Sequence, residues 1–219
     1  MSQLELDMPD DTDGSTNGDE VPVSDASDGS ALPDVGRLLY RINNMMRTDK
    51  RKKGRRWEEQ DPRLSNGDIA KLRRISPRAP ITPALWRVLH YLDIAEAPQG
   101  QDQDKYERKW AVLLMGMAHC AGMHDVRRRE DRISFGRALA EAGWSEQRFV
   151  RLLETPPDRL GVQIRRVAQF LSSKRQHADW KGVYYLLFME EDKAKDTRLY
   201  MARSYYGTLY RKEKDDDEE

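Results

Sequence analysis

Residues 110–121 read Trp-Ala-Val-Leu-Leu-Met-Gly-Met-Ala-His-Cys-Ala, and the period of that stretch decides the fold class. Trp110, Leu113, Leu114, Met117, Ala118 and Ala121 recur three and four residues apart, which winds them onto one face of an α-helix. The same spacing continues on both sides. Upstream, Val35, Leu38, Leu39 and Ile42 follow Pro33-Asp34, a helix start. Ser65-Asn66-Gly67-Asp68 has the spacing of a capping box, with Ser65 as N-cap and Ile69 and Leu72 opening an apolar face behind it. Thr82-Pro83 places an N-cap before a proline at the first helical position, ahead of Leu85, Val88, Leu89 and Leu92.

Downstream, Phe135, Leu139 and Ala142 predict a short helix closed by Gly143. Ser145 begins the next, carrying Phe149, Leu152 and Leu153 until Pro156-Pro157 stops it. Leu160, Ile164, Val167 and Leu171 repeat at four, three and four. Asp179 caps a helix that buries Trp180, Tyr184, Leu187 and Phe188, and a last helix is expected to bury Leu199, Ala202, Tyr206 and Leu209. No segment alternates long enough to predict a strand. The chain is therefore expected to be all-α. Two small helical bundles, 34–124 and 125–211, would lie between an acidic arm at 1–33 and an acidic tail at 212–219. A break near residues 99–105 offers another division.

The chain has 219 residues, of which 38% are apolar and 35% charged. Its mean hydropathy of −0.88 predicts polar segments attached to a smaller folded body. Residues 1–33 are rich in Asp, Ser, Gly and Pro and are expected to be disordered. No apolar run approaches the roughly 18 residues of a membrane span. A single cysteine, Cys120, excludes an internal disulfide and suits a reducing cytoplasm, so a soluble cytoplasmic protein is expected.

Lys plus Arg and Asp plus Glu both number 38, yet the balance is uneven along the chain. Residues 1–34 hold ten acids and no base, and residues 215–219 hold five more acids. Removing those fifteen leaves 23 acids against 38 bases over residues 35–214, a body at +15. Such an excess repels itself unless a polyanion is near, and nucleic acid is the commonest one. Clustering strengthens the point: Lys50-Arg51-Lys52-Lys53-Gly54-Arg55-Arg56, Arg127-Arg128-Arg129 with Arg132, Arg165-Arg166, and Lys174-Arg175. Scattered surface charge is the plain alternative.

Chemistry is sparse. There is no Gly-rich phosphate loop, no nucleophile elbow and no His-Glu-x-x-His pattern, so no enzyme, cofactor or metal site is expected. His119, Cys120, His124 and Asp125 have ligand-type side chains, but a helix sets 119 and 124 on poorly aligned faces. Tyr184-Tyr185 and Tyr205-Tyr206 could stack on bases, though one of each pair is expected in the core.

Several stretches resemble one known family. Leu-Ser-Asn-Gly-Asp-Ile-Ala-Lys-Leu-Arg-Arg-Ile at 64–75 and Ile-Ser-Phe-Gly-Arg-Ala-Leu-Ala at 133–140 look like motifs of the CasB family. In the same order come Trp86-Arg87-Val88-Leu89, residues 146–153, Val162-Gln163-Ile164-Arg165-Arg166-Val167, Ala178-Asp179-Trp180 (where the family has Val-Asp-Trp) and Arg203-Ser204-Tyr205-Tyr206. The likeness covers about residues 35–211. The acidic arm, the basic run 50–56 and the acidic tail lie outside the family pattern.

This resemblance implies the small subunit of the type I-E CRISPR surveillance complex Cascade: a non-catalytic, all-helical protein without cofactors. It implies a homodimer within the complex that contacts the backbone and large subunits. Its basic face would hold the crRNA–target DNA heteroduplex and the displaced DNA strand, stabilising the R-loop. Carried over, the nucleic-acid-binding residues are Arg73 and Arg74, Arg137, Arg165 and Arg166, and Arg203. Charge clustering adds Arg128, Arg129 and Arg132. Two other readings compete: an assembly protein whose basic surface meets acidic protein partners, and a free-standing helical DNA-binding regulator reading through residues 145–153.

Overall fold

A computed structural model of the chain describes residues 34–47, 63–76, 82–125 and 132–217, the side chain of Asp216 excepted. The basic run 50–56, the arm 1–33, and Arg128 and Arg129 lie outside the described residues. Among those described, nine helices follow one another: α1 (Val35–Met46), α2 (Asn66–Arg74), α3 (Pro83–Tyr91), α4 (Gln103–His119), α5 (Phe135–Glu141), α6 (Glu146–Glu154), α7 (Leu160–Lys174), α8 (Lys181–Phe188) and α9 (Glu191–Asp217). The chain is all-α. An isolated parallel bridge joins His124 to Ala178.

The helix starts are set locally. At α2 the Ser65 hydroxyl accepts from the Asp68 amide (3.1 Å), and the Asp68 carboxylate accepts from the Ser65 amide, the reciprocal pairing of a capping box. The Ser65 hydroxyl and then Arg87, whose Nη1 lies 2.6 Å away, hold the Asp68 carboxyl below its usual range. Pro83 opens α3, but the Thr82 hydroxyl makes no cap bond and is buried without a partner among the described residues. α8 begins one residue later than expected, at Lys181; Asp179 still serves it, accepting from the Lys181 amide at 3.0 Å. Gly143 closes the turn after α5 with φ of 80°, a left-handed conformation that costs glycine nothing.

α4 is the axis of the molecule. From Trp110 to Ala118 every residue is buried, so the apolar face read in the sequence is in fact the whole circumference. α2, α7 and α8 pack around it, and α5 lies along α9 in the most extensive helix pair. A continuous apolar cluster runs from Leu38 to Tyr205. Trp110, Tyr184 and Phe188 form an aromatic knot, with Tyr184 and Phe188 stacked at 4.6 Å. Stripes expected on α1, α3 and α7 are buried as read: Leu38, Leu39 and Ile42; Leu85, Val88 and Leu89; Leu160, Ile164, Val167 and Leu171.

α9 differs. Its buried residues are Ala194, Met201, Tyr205 and Thr208, whereas Leu199 is 49% and Tyr206 40% exposed. The stripe expected at Leu199, Ala202, Tyr206 and Leu209 is therefore rotated by about one residue, or about 100°. The reason lies in the helices beneath it. Gly136 of α5 and Gly182 of α8 both leave their Cβ space to Met201, which makes that residue the inward one. Of the tyrosine pairs, Tyr184 is a core member as expected, whereas Tyr205 takes the buried place expected for Tyr206.

Candidate nucleic-acid interface

Two of the sequence-derived arginines meet where α2, α4 and α7 converge. Arg73 Nε donates to the Ala118 carbonyl in the last turn of α4 (2.8 Å). Arg165 Nη2 donates to the Ile75 carbonyl just past α2 (2.7 Å), and its Nε reaches Met115 Sδ (3.0 Å). Both guanidinium groups thus sit on helix C-termini, whose unpaired carbonyls carry partial negative charge. Each uses only part of a five-donor fork. Neither has a carboxylate partner among the described residues, so their charge is not cancelled.

His119 lies between them. Burial first, then Arg73 and Arg165, push its pKa down, and its buried Nε2 has no hydrogen-bond partner among the described residues. A neutral imidazole adds nothing to offset or reinforce the two cations. Arg74 and Arg166 follow in sequence on the exposed sides of α2 and α7. Arg74 Nε bonds back to Ala70 O at 3.1 Å, and Arg166 makes no hydrogen bond or ion pair with the described residues.

The second group sits on α5 and α9. Arg137 pairs with Glu141 one turn on (2.6 Å), and Gln176 holds the other Glu141 oxygen (3.1 Å). Such a half-exposed i,i+4 pair is worth about 0.3–0.5 kcal/mol, little enough for a phosphate to compete. Arg203 is exposed on α9 and has no partner among the described residues. Arg132 stands apart, 3.7 Å from Asp179, in a more enclosed setting. Residues that the sequence reading missed lie on the same helix as Arg203: Arg198, Arg211 and Lys212, the last donating to Ala140 O (3.1 Å) at the end of α5. Their signal was present, because residues 197–212 contain four bases and no acid.

The ligand-type side chains around residue 120 are committed elsewhere. Cys120 is buried against the Ala168 carbonyl, and burial pushes its thiol up to about 12, far from a nucleophilic thiolate. His124 Nδ1 accepts from the Trp180 amide (3.3 Å), while the His124 amide donates to Asn43 Oδ1 (3.2 Å). That tie connects α1, the segment after α4 and the start of α8. A cleft of about 420 Å³ along α6 is lined by Glu146, Gln147, Val150, Arg151 and Glu154, all from one helix. Of its carboxylates, Glu146 accepts from the Tyr206 hydroxyl of α9 (3.0 Å), and Glu154 has no hydrogen-bond or ion-pair partner among the described residues.

His124 should leave a mark on the pH dependence of stability. Burial lowers its pKa, Arg132 lowers it further, and Asp179 (4.0 Å away) and Asp125 only partly oppose this. The folded state therefore stays neutral while the unfolded histidine protonates below about 6.5. Stability from this group is full above pH 6.5 and falls as pH drops through that value, by at most about 1.4 kcal/mol per pH unit. His119 adds a contribution of the same sign. His124→Asn keeps an acceptor for the Trp180 amide without titrating. Urea midpoints from pH 7.5 down to 5 should fall less steeply for this variant than for wild type; parallel curves would show that His124 is not the group responsible.

A family model described as CRISPR-associated protein Cse2 matches residues 68–206, well over half of the chain. Two solved structures share the fold. A chain in the crystal structure of E. coli Cascade bound to a PAM-containing dsDNA target is 18% identical with a TM-score of 0.53, over 79% of this chain and 96% of that one. The crystal structure of M. ruber CasB is 21% identical with a TM-score of 0.51, over 69% of this chain and 90% of that one. A comparison with curated proteins finds no match.

Proposed function

The chain belongs to the CRISPR-associated protein Cse2 family, and from that membership we propose that it is the small subunit of a type I-E Cascade complex. In that role it holds nucleic-acid backbone without reading sequence, steadying the crRNA–target heteroduplex and the displaced DNA strand of the R-loop. It would do so as one of two copies beside the backbone and large subunits, in the cytoplasm, with no catalytic step of its own. The observation that supports the backbone-binding part is the set of exposed guanidinium groups without carboxylate partners among the described residues, Arg73, Arg166 and Arg203.

The energetics suit so modest a device. R-loop formation exchanges one duplex for another of nearly equal stability, so a few phosphate contacts suffice to tip it. Guide pairing carries the sequence information, and an arginine row on helices supplies charge and bidentate donors without a base code. Arg73 and Arg165 also hold helix ends, so their substitution would confound folding with binding. Arg166 and Arg203 are the cleaner probes.

Arg166→Glu with Arg203→Glu should weaken binding to unrelated duplexes by similar factors. The slope of log affinity against log salt should fall by about 0.9 for each phosphate that is no longer neutralised. Titrations on two unrelated sequences at several salt concentrations read both quantities. Wild-type affinity and slope in the double variant would refute the assignment. A wild-type chain that joins the complex yet binds no free nucleic acid at low salt would favour the assembly reading instead.

A further inference from the structure

α9 turns aromatic rings and a cation, Arg203, outward along one side. Leu199, Arg203, Tyr206 and Tyr210 recur at four, three and four residues, one stripe of a helix, and Tyr200 and Gly207 adjoin it. Tyr200 is 62% and Tyr210 70% exposed, the two largest apolar exposures on the described part of this helix. A Cβ on Gly207 would meet nothing within 4 Å, so the ledge between the rings is open. The helix's anchoring residues, Met201, Tyr205 and Thr208, are buried against the body.

Charge selects the occupant. Residues 197–212 carry Arg198, Arg203, Arg211 and Lys212 and no Asp or Glu. Three carboxylates stand at the rim: Glu146, which accepts from the Tyr206 hydroxyl at 3.0 Å, Asp196 one turn before Tyr200, and Glu213 one turn after Tyr210. A second copy docking on this stripe by two-fold symmetry would bring Arg203 near its own mate. A duplex offers phosphates but keeps its base faces stacked inside. An unpaired strand offers both. Tyr206 and Tyr210 lie about 6 Å apart along the helix axis, wider than the about 3.4 Å rise of stacked nucleotides, which suits bases that have come apart.

We infer that the outward face of α9, formed by Tyr200, Arg203, Tyr206 and Tyr210, is a stacking platform for the bases of a single nucleic-acid strand. The inference rests on the proposed backbone-binding role for its electrostatic half and adds contacts that charge alone does not supply. Each base lying on a ring contributes affinity that is tolerant of sequence, since every base has a π-face.

The test uses the full chain and three probes at one salt concentration: oligo(dT) of about 20 nucleotides, an abasic strand of equal length, and a duplex. Wild type should prefer oligo(dT) to the abasic strand by about tenfold or more. Tyr200→Ala with Tyr210→Ala, both on exposed positions, should erase that preference and leave abasic and duplex binding as they were. Equal wild-type affinity for the oligo(dT) and abasic strands, or a preference that survives the double substitution, overturns the platform while leaving the phosphate-binding role standing. A wild-type chain that binds none of the probes overturns both. Sedimentation supplies the last arm: a wild-type dimer that the double variant splits into monomers would make this face a self-interface, and the inference would fall.

Discussion

Trp180→Ala should cost about 3–5 kcal/mol of stability, a large share of the about 5–15 kcal/mol that holds a domain together. The indole is buried to 1% exposure at the start of α8. One edge meets Phe135 of α5 in a T-shaped contact at 5.4 Å, and its six-membered ring lies over Gly116 of α4. It therefore plugs the meeting point of three helices. Alanine would leave a cavity that the rigid α4 axis has little freedom to close. Trp180→Phe should lose much less, because it keeps the aromatic edge.

Gly116 provides the control. A methyl there would meet the Trp180 ring at 2.6 and 2.7 Å and Ile164 Cγ2 at 3.0 Å, so Gly116→Ala alone should cost about 1–3 kcal/mol through overpacking. In the double variant the methyl enters the space that the lost indole vacates. The combined loss, read from urea midpoints, should be smaller than the sum of the two by at least about 1 kcal/mol. Additive losses would mean that the ring and the glycine do not share that space.

What the sequence made legible was what the chain decides locally. The Ser65–Asp68 box spans three residues, and its reciprocal bonds form as read. The Leu160, Ile164, Val167 and Leu171 stripe lies inward because a four-three-four period on a helix has a single apolar side to bury. The family motifs likewise pointed to the right relatives. The candidate arginines could be named from clustering and resemblance, but not their commitments. Arg73 bonds a carbonyl 45 residues away and Arg165 one 90 residues away, and no window on the sequence shows those partners.

The register of α9 was misread for a related reason. Leu199 and Tyr206 look as apolar as Met201 and Tyr205, and intrinsic pattern cannot choose between two adjacent stripes. The choice is made by glycines in other helices, at 136 and 182, which open grooves that accept Met201. The same rotation brings Tyr206 outward and leaves Tyr200, Arg203 and Tyr210 together on the exposed side. The proposed stacking face was thus hidden by a packing decision made far away in the sequence.

Gly136→Val tests that decision directly. A Cβ at position 136 would fall well inside contact distance of the Met201 carbonyl oxygen and would also crowd the Ser204 hydroxyl. The first of these is backbone of α9, so no side-chain rotation can relieve it; α5 and α9 must move apart. Because this is the most extensive helix pair, separation also loosens the stack of Phe149 on Tyr205 (3.9 Å) and the bond from the Tyr205 hydroxyl to the Trp144 carbonyl. A loss of about 3 kcal/mol or more is expected, at the upper end for overpacking. Gly207→Ala, on the open side of the same α9, should instead be neutral or slightly stabilising, since it restores helix propensity where nothing is near. Urea unfolding followed by circular dichroism compares the two. If Gly136→Val unfolds at the wild-type midpoint, α9 does not sit on α5 through Met201, and the outward placement of Tyr200 and Tyr210 loses its structural basis.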